Sequence, residues 1–321
     1  MKPLYPEIEP FHSFLLDTDG LHRVYVEQCG NPQGFPVIFL HGGPCSGCRP
    51  DHRRFFDPER YHIILMDQRG CGRSLPFGEL QNNSTQDLID DMERIRLRLQ
   101  VERWFLFGGS WGGSLALLYA QQHRERVSGM VIRGVFLARS KDIDWFVKDG
   151  AGRIYPELWE ALVASVPESG RIDLLAGLCD TIFGDDEVAK RRMTRAWMAW
   201  GGQTALGSGY QPNEEPRHIT EKLVQQVRME MHYAKNRYFV SENQILEHCD
   251  ALQDVPTIII HGRNDVVCPI ESGYSLAKAI PKAKFIVLPN SGHVAHGEEM
   301  IAALVSATDN ILTVSENGKC P

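Results

Sequence analysis

The chain is 321 residues long, 43% of its residues are hydrophobic, and its formal net charge at pH 7 is −7. This length suffices for one large α/β core with a sizeable insertion. The negative charge argues against nucleic acid as a partner, because no basic stripe is available to neutralise phosphates, and the lack of an apolar run long enough to cross a bilayer predicts a cytoplasmic protein with no membrane partner.

The first half of the chain alternates short apolar runs with helical patterns, as the strands and helices of a doubly wound sheet do. Asp19-Gly20 between two apolar runs predicts an opening antiparallel hairpin. Ser84 and Asp87 mark a helix start, and the apolar residues that follow fall on one helical face. The strands predicted in this half are 14–16, 24–26, 37–40, 63–66, 104–107 and 130–132.

Strand character stops after this half of the chain and resumes only at 257–260 and 284–288. The intervening stretch holds amphipathic helical patterns rich in tryptophan and charge. An all-helical insertion between two core strands is typical of a cap, which covers a site, excludes water and shapes a substrate pocket. We therefore predict a core of residues 1–137 and 251–321 with a helical cap of residues 138–250.

A serine lies in a glycine-rich turn directly after one predicted strand and directly before a small-residue helical stretch. In Gly108-Gly109-Ser110-Trp111-Gly112 the flanking glycines permit a tight turn that pushes the hydroxyl outward. The motif alone is common by chance, but this context is that of a nucleophile elbow. We predict that Ser110 is a nucleophile, and the alternative is an ordinary strand-to-helix turn.

A nucleophilic serine needs a base and an acid, which in this architecture follow it in the chain on loops after strands. Asp265 and His293 come after the last two predicted strands. We predict that His293 takes the proton of Ser110 and that Asp265 fixes the imidazole tautomer. His296 is the main rival for the role of base, and His261, at a strand end, is a second candidate.

Two backbone N–H groups are predicted to form the oxyanion hole that such chemistry requires. One belongs to Trp111, which follows the serine. The other belongs to Gly43, in a loop after strand 37–40 where glycines let the backbone approach a substrate carbonyl. The polar turn Asp67–Ser74 follows the next strand, and we predict that its charges brace the floor of the site.

Eight cysteines are scattered along the chain instead of being spaced as a disulfide framework, which favours reduced thiols. Cys45 and Cys48 form a C-x-x-C, but the sequence offers neither two further zinc ligands nor a thioredoxin-like start. We therefore predict no metal and no cofactor. Cys45 and Cys71, on loops expected near the mouth of the site, are predicted to make the protein sensitive to thiol reagents.

Taken together, these motifs resemble the proline iminopeptidase (prolyl aminopeptidase) family of capped α/β hydrolases, and the resemblance spans nearly the whole chain. The core motifs that carry it are His41–Pro44, Asp67–Ser74, Gly108–Gly113 and Gly292-His293. The cap motifs are Arg133–Phe136, Trp145-Phe146, Gly150-Ala151, Pro156–Glu160, Ala196-Trp197 with Trp200, and Arg228–Tyr233. The resemblance implies an α/β-hydrolase fold, in which a mostly parallel sheet has helices on both faces and carries a helical cap. It also implies release of an N-terminal proline from a peptide through an acyl-enzyme, without metal or cofactor.

The resemblance further implies a set of substrate-binding residues. Glu230 corresponds to a family glutamate that holds the protonated amine of the substrate, and the other implied contacts are Phe136, Trp145 and Tyr233. An exopeptidase must bind that amine, because a buried ammonium without partners costs several kcal/mol.

This chain departs from the family at positions that bear on specificity. Gly201 stands where a second amine-binding glutamate is expected, and Val147 and Ala234 replace two aromatic residues of the proline pocket. Cys45 also replaces a glycine of the His-Gly-Gly-Pro-Gly loop. Hydrolysis is therefore a firmer prediction than preference for proline.

Three functions of different classes remain open at this point. The first is an aminopeptidase that releases N-terminal proline or another small residue. The second is a cap-shaped esterase, amidase or lactonase that uses the same triad and needs no free amine. The third is a non-catalytic binding protein, because folds are reused for binding. The expected partner is thus a small peptide, amide or ester substrate.

Overall fold

The central sheet has eight strands in the order β1-β2-β4-β3-β5-β6-β7-β8 in a computed structural model that describes residues 2–18, 20–211 and 218–317. β2 is antiparallel to both of its neighbours, and every other neighbouring pair is parallel. The strands are β1 (His12–Asp17), β2 (Arg23–Gly30), β3 (Phe35–Leu40), β4 (Tyr61–Asp67), β5 (Trp104–Ser110), β6 (Val127–Val135), β7 (Thr257–Gly262) and β8 (Lys284–Leu288). The predicted mostly parallel sheet and its strands are confirmed.

The antiparallel pair β1–β2 confirms the predicted opening hairpin. Phe14 lies opposite Val26 in this pair. Gly20, in the connecting turn, has a φ of 84°, a conformation that glycine adopts without steric cost. Its predicted turn partner Asp19 lies outside the described residues.

Ten α-helices lie in the described part of the chain. They are α1 (Thr85–Arg98), α2 (Trp111–Gln122), α3 (Ser140–Asp144), α4 (Pro156–Ala164), α5 (Leu174–Phe183), α6 (Glu187–Leu206), α7 (Glu221–Lys235), α8 (Gln244–Glu247), α9 (Ile270–Ala279) and α10 (Glu298–Asn317). The predicted start of α1 is confirmed: the Ser84 side chain accepts from the Asp87 N–H, and the Asp87 carboxylate accepts from the Ser84 N–H. None of the described helices is long and apolar enough to cross a membrane.

The sheet separates two apolar layers, because successive side chains of a strand point to opposite faces. In β5, Trp104 and Leu106 belong to the layer that contains residues of α1, α2 and α9, while Phe105 and Phe107 belong to the layer that contains residues of α10. Burial on both faces explains why the strands read as continuous apolar runs.

Only helical elements occur among the described residues between β6 and β7. These helices have an apolar cluster of their own, in which Trp200, Met193 and Leu178 are buried. The helical insertion is therefore present in the fold. The division into a core of 1–137 and 251–321 and a cap of 138–250 stays a prediction.

Candidate active site

Ser110 lies at the junction of β5 and α2, in a turn that needs its glycines. Its φ is 56° and its ψ is −128°, which is rare for a residue with a side chain. A Cβ at Gly108 would lie 2.2 Å from the Gly112 carbonyl oxygen, and a Cβ at Gly112 would lie 2.1 Å from the carbonyl oxygen of Leu40. Both contacts are sterically forbidden, so these two glycines allow the turn that presents Ser110.

Asp265 and His293, which are far apart in sequence, are hydrogen-bonded at the carboxyl ends of β7 and β8. The distance from His293 Nδ1 to Asp265 Oδ2 is 2.8 Å, and Asp265 Oδ1 accepts from the N–H groups of Val267 and Cys268. Burial by itself would raise the pKa of Asp265, but His293, together with His261 and the Cys268 N–H, holds that pKa below its usual range. The ionised carboxylate therefore favours a proton on His293 Nδ1 and leaves Nε2 able to accept one.

Ser110 and His293 line the same cavity, which has a volume of about 500 Å³. The side chains of Ser110 and His293 are not hydrogen-bonded to each other in this structure. Such contacts are often long in the absence of substrate and tighten in the complex. The structure thus brings the predicted nucleophile and base to one cavity and joins the base to the predicted acid.

The two rival histidines differ from His293 in their surroundings. His261 is buried, hydrogen-bonds the Cys268 carbonyl oxygen through Nε2 at 2.8 Å and accepts the Val135 N–H through Nδ1. His296 is exposed. Of these three histidines, His293 is the one that lines the cavity.

The loop after β3 lies against Ser110, as the predicted oxyanion hole requires. A Cβ at Gly42 would lie 3.3 Å from the Ser110 Cβ. Gly43 has a φ of 107°, and a Cβ there would lie 2.5 Å from the backbone nitrogen of Cys45. Gly43 and Trp111 both line the cavity that Ser110 also lines.

Gln68, which no sequence motif marked as a functional residue, connects three parts of the site. Its side chain donates to the His41 carbonyl oxygen at 2.8 Å and accepts from the Trp111 indole N–H at 3.0 Å. Its backbone N–H donates to His41 Nε2. The position of Gln68 inside the polar turn after β4 was the available signal, because Gln68 contacts His41 and Trp111, next to or among the residues predicted to hold the oxyanion donors.

The charges of the turn Asp67–Ser74, which we predicted to brace the floor of the site, form ion pairs. Arg69 forms a two-pronged pair with Asp91 of α1, at 2.6 and 2.8 Å. Arg73 donates to Asp67 at 2.8 Å and to Glu27 at 2.7 Å. These pairs fix the turn that carries Gln68.

Glu230 of α7 lines the cavity from the cap side. The indole N–H of Trp197 donates to its Oε2 at 2.7 Å, and the Gln226 amide donates to its Oε1 at 3.4 Å. Burial raises the pKa of Glu230, and the two hydrogen bonds oppose this effect. The two hydrogen bonds therefore stabilise the negative charge of Glu230 only in part, and the carboxylate can still bind a cation.

The aromatic residues predicted to bind substrate divide into two groups. Phe136 lines the cavity, whereas the described lining includes neither Trp145 nor Tyr233. The Trp145 indole donates to the Val266 carbonyl oxygen at 2.7 Å, and Tyr233 is buried with its hydroxyl donating to Asn83 Oδ1 at 2.8 Å. These two rings therefore do not line the cavity, and their polar groups are hydrogen-bonded to other parts of the protein.

Other residues of the cap complete the wall of the cavity. The aromatic residues of the helical insertion that line it are Phe146, Trp197 and Tyr238. The three positions that depart from the family pattern, Gly201, Val147 and Ala234, also line it.

Cys268, which the sequence analysis passed over, lines the cavity and lies beside the hydroxyl of Ser110. Cys45 and Cys71, which we predicted to react with thiol reagents, are nearly completely buried, with their thiols directed at the carbonyl oxygens of Gly70 and Pro44. Their burial leaves little surface for a reagent. No group of three or more metal-ligating side chains is found in the described ranges.

The strand order and the serine turn at the end of β5 define the class of the protein as an α/β hydrolase. A family model described as alpha/beta hydrolase fold matches residues 36–299. A proline iminopeptidase of Xylella fastidiosa is 42% identical over 316 residues, with 97% of this chain and 100% of the relative covered. A proline iminopeptidase of Xanthomonas citri is 43% identical over 313 residues, with 96% and 99% covered. The chain therefore belongs to the proline iminopeptidase family.

Solved structures with lower sequence identity share the fold. A proline iminopeptidase-related protein of Thermus thermophilus has a TM-score of 0.57 and 19% identity, with 94% of this chain and 97% of that chain covered. A thermophilic esterase of Thermogutta terrifontis has a TM-score of 0.59 and 19% identity, with 96% and 99% covered. At this identity, the likeness concerns the fold alone.

Proposed function

We propose that this protein is a serine aminopeptidase that releases N-terminal proline, or another small N-terminal residue, from short peptides. The observation that carries the proposal is the composition of one cavity: Ser110, the Asp265-bound His293 and the cap carboxylate of Glu230 all face it. The names of the 40–43% identical relatives support the same activity.

The proposed chemistry starts with attack of Ser110 Oγ on the carbonyl carbon of the first residue. His293 Nε2 takes the serine proton and then delivers it to the leaving amine, so that an acyl-enzyme and a shortened peptide form. Asp265 holds the imidazole tautomer and stabilises the imidazolium. Water, activated by His293, attacks the acyl-enzyme and releases the first residue.

The N–H groups of Gly43 and Trp111 are proposed to stabilise the oxyanion that forms in both steps. Loss of one such donor typically costs about 3 kcal/mol of transition-state stabilisation. Gln68 is proposed to position both donors, because it binds the main chain of His41 and the indole of Trp111.

Glu230 is proposed to bind the protonated amine of the substrate. Within the described part of the chain its carboxylate accepts from two neutral donors, Trp197 and Gln226, so an ammonium group would supply the missing positive charge. The aromatic wall around it, which includes Phe136, Phe146 and Tyr238, suits the methylene groups of a small ring whose nitrogen carries the charge.

A comparison of three substrates tests this function. We expect faster hydrolysis of a prolyl arylamide than of its N-acylated form or of a short-chain aryl ester, because only the first carries the free amine. Fast turnover of the ester, together with indifference to acylation, would instead identify an esterase or amidase. Failure of a serine-directed phosphonate to label Ser110 would favour a binding protein.

A cytoplasmic location belongs to the same proposal. Its support is the spacing of the eight cysteines, which is unlike that of the disulfide frameworks found in oxidising compartments.

A further inference from the structure

One part of the cavity wall is basic and comes from the core alone. It consists of Arg49, His52 and Arg133 with the rings of Phe39 and Phe107, and we call it the arginine end. The proposed chemistry uses none of these side chains.

Arg133 lines the cavity, and among the described residues its guanidinium makes one hydrogen bond, through Nη1. It lies in β6 in register with Gly109, and a Cβ on Gly109 would lie 2.3 Å from its Nη2. Its Nη1 donates to the His293 carbonyl oxygen, and it forms no salt bridge with any carboxylate of the described residues. Burial lowers the pKa of Arg133, an effect that Asp265 opposes. A guanidinium has five N–H groups in a planar fork, which suits a carboxylate, and here it is half-buried beside open space.

Arg49 and His52 add to the same surface. The Arg49 side chain is exposed and forms no salt bridge within the described part of the chain, while its backbone N–H donates to His52 Nδ1 at 3.0 Å. Burial, with the charges of Arg49, His41 and Arg133, lowers the pKa of His52 to about 3. The ring is therefore neutral at pH 7 with its proton on Nε2, and it stacks on Phe39 at 4.3 Å. His52 thus supplies an uncharged donor, and the arginines supply the charge.

The carboxylates that line the cavity do not neutralise this end. Asp142 is paired with Arg139 at 2.6 Å, and Glu230 is bound to Trp197 and Gln226. One cavity is thus lined by a carboxylate from the cap, by guanidinium groups from the core and by Ser110. In a dipeptide the amine and the carboxylate lie on opposite sides of the scissile bond, so the substrate carries one positive charge for the carboxylate of Glu230 and one negative charge for the guanidinium groups.

We propose that the arginine end binds the α-carboxylate of the leaving residue, so that dipeptides with a free carboxyl terminus are the preferred substrates. This inference rests on the proposed aminopeptidase function and adds recognition on the leaving side of the bond. Arg133 forms the charged pair, Arg49 strengthens the local positive field, and the His52 Nε2–H donates a hydrogen bond. A longer peptide or a carboxyl-terminal amide places a neutral group there and loses the ion pair.

The test compares kcat/KM for prolyl-alanine with that for prolyl-alaninamide, and uses a prolyl arylamide as a reference. Wild type is expected to prefer the free dipeptide at least tenfold, mainly through KM. Arg133→Met should bring this ratio toward one, Arg133→Lys should retain part of it, and Arg49→Met should lower it less. Arg103→Met is the matched control, because Arg103 also donates to a main-chain carbonyl, that of Val127 at 2.9 Å, but does not line the cavity.

The outcomes separate this proposal from the proposed function. A wild-type ratio near one, with the arylamide still cleaved, overturns the carboxylate site and leaves the aminopeptidase intact. An Arg133→Met variant that loses kcat on both peptides while the ratio persists shows that Arg133 only positions the His293 loop, which also overturns the proposal. A protein that cleaves none of the three substrates refutes both. If Arg133→Met does not fold, the kcat/KM ratio of the two peptides in wild type and in Arg49→Met decides whether the arginine end binds the carboxylate.

Discussion

Ser110 shows most directly how the fold fixes a rare backbone conformation at a single residue. Its side chain projects from a backbone with φ of 56° and ψ of −128°, a conformation that costs of order 1–3 kcal/mol for a residue with a Cβ. The cost is sustained because the turn is fixed by β5 on one side and α2 on the other. The strained residue, Ser110, also lines the cavity.

Ser110→Ala is expected to abolish turnover without unfolding the protein. The change removes the nucleophile, so kcat on a prolyl arylamide should fall by roughly 10³-fold or more, while the free energy of unfolding should change by less than about 1 kcal/mol. Steady-state kinetics and urea unfolding measure the two effects. Activity at the wild-type level would show that the elbow does not supply the nucleophile.

Glu230→Gln is expected to impair recognition of the free amine. Loss of a partly buried charge contact of about 1.5–3 kcal/mol should raise KM for the prolyl arylamide by roughly ten- to a hundredfold, and should affect a neutral aryl ester far less. Glu247→Gln, on the short helix α8, is a control that removes a carboxylate away from the cavity. Equal effects of Glu230→Gln on both substrates would contradict its role.

At the scale of elements, α6 and α7 determine what the cap presents to the core. Trp197 and Gly201 are one helical turn apart on α6 and both line the cavity, while α7 contributes Gln226 and Glu230 from the facing side. An added Cβ on Gly201 would meet no atom within 4 Å. The cap therefore has room beside Glu230 for a longer side chain.

Gly201→Glu is expected to lower KM for free-amine substrates several-fold, because it adds a second carboxylate to the wall that contains Glu230. Gly201→Ala is the matched control: it should leave the ratio of KM values for amine and ester substrates unchanged and stabilise the helix by about 0.5–1 kcal/mol. Kinetics on both substrate classes and thermal unfolding provide the measurements. A KM for free-amine substrates that is no lower in Gly201→Glu than in Gly201→Ala would mean that the amine binds elsewhere.

At the scale of the whole molecule, several buried histidines make folding sensitive to pH. Burial lowers the pKa values of His41, His62 and His261, so these rings stay neutral in the folded state at a pH where the unfolded chain binds protons. The free energy of unfolding should therefore have its full value above about pH 6.5. It should fall as the pH drops from there toward the lowered pKa of each histidine.

His62→Gln tests this linkage away from the cavity. His62 is buried and hydrogen-bonds Gln28 Oε1 at 3.0 Å, so its replacement should reduce the fall of unfolding free energy between pH 6.5 and 5 by up to about 1.4 kcal/mol per pH unit. Urea unfolding at several pH values measures the slope. His296→Gln serves as the control, because His296 is exposed. If the slope of unfolding free energy against pH is the same in His62→Gln as in wild type, His62 does not cause the pH dependence.

The amino-acid sequence by itself determined the strands, the opening hairpin, the start of α1 and the serine turn, because each depends on a local pattern of apolar, capping or glycine residues. It also indicated Asp265 and His293, since this architecture places the acid and the base after the last two strands. These local signals were sufficient to assign the fold class and the family.

Tertiary structure alone decided which side chains face the cavity. Phe136 lines it while Trp145 and Tyr233 lie behind it, Cys268 reaches it while Cys45 and Cys71 are buried, and Arg133 lacks a carboxylate partner among the described residues. The physical reason is that burial and pairing depend on contacts between residues far apart in the chain, which no short pattern encodes.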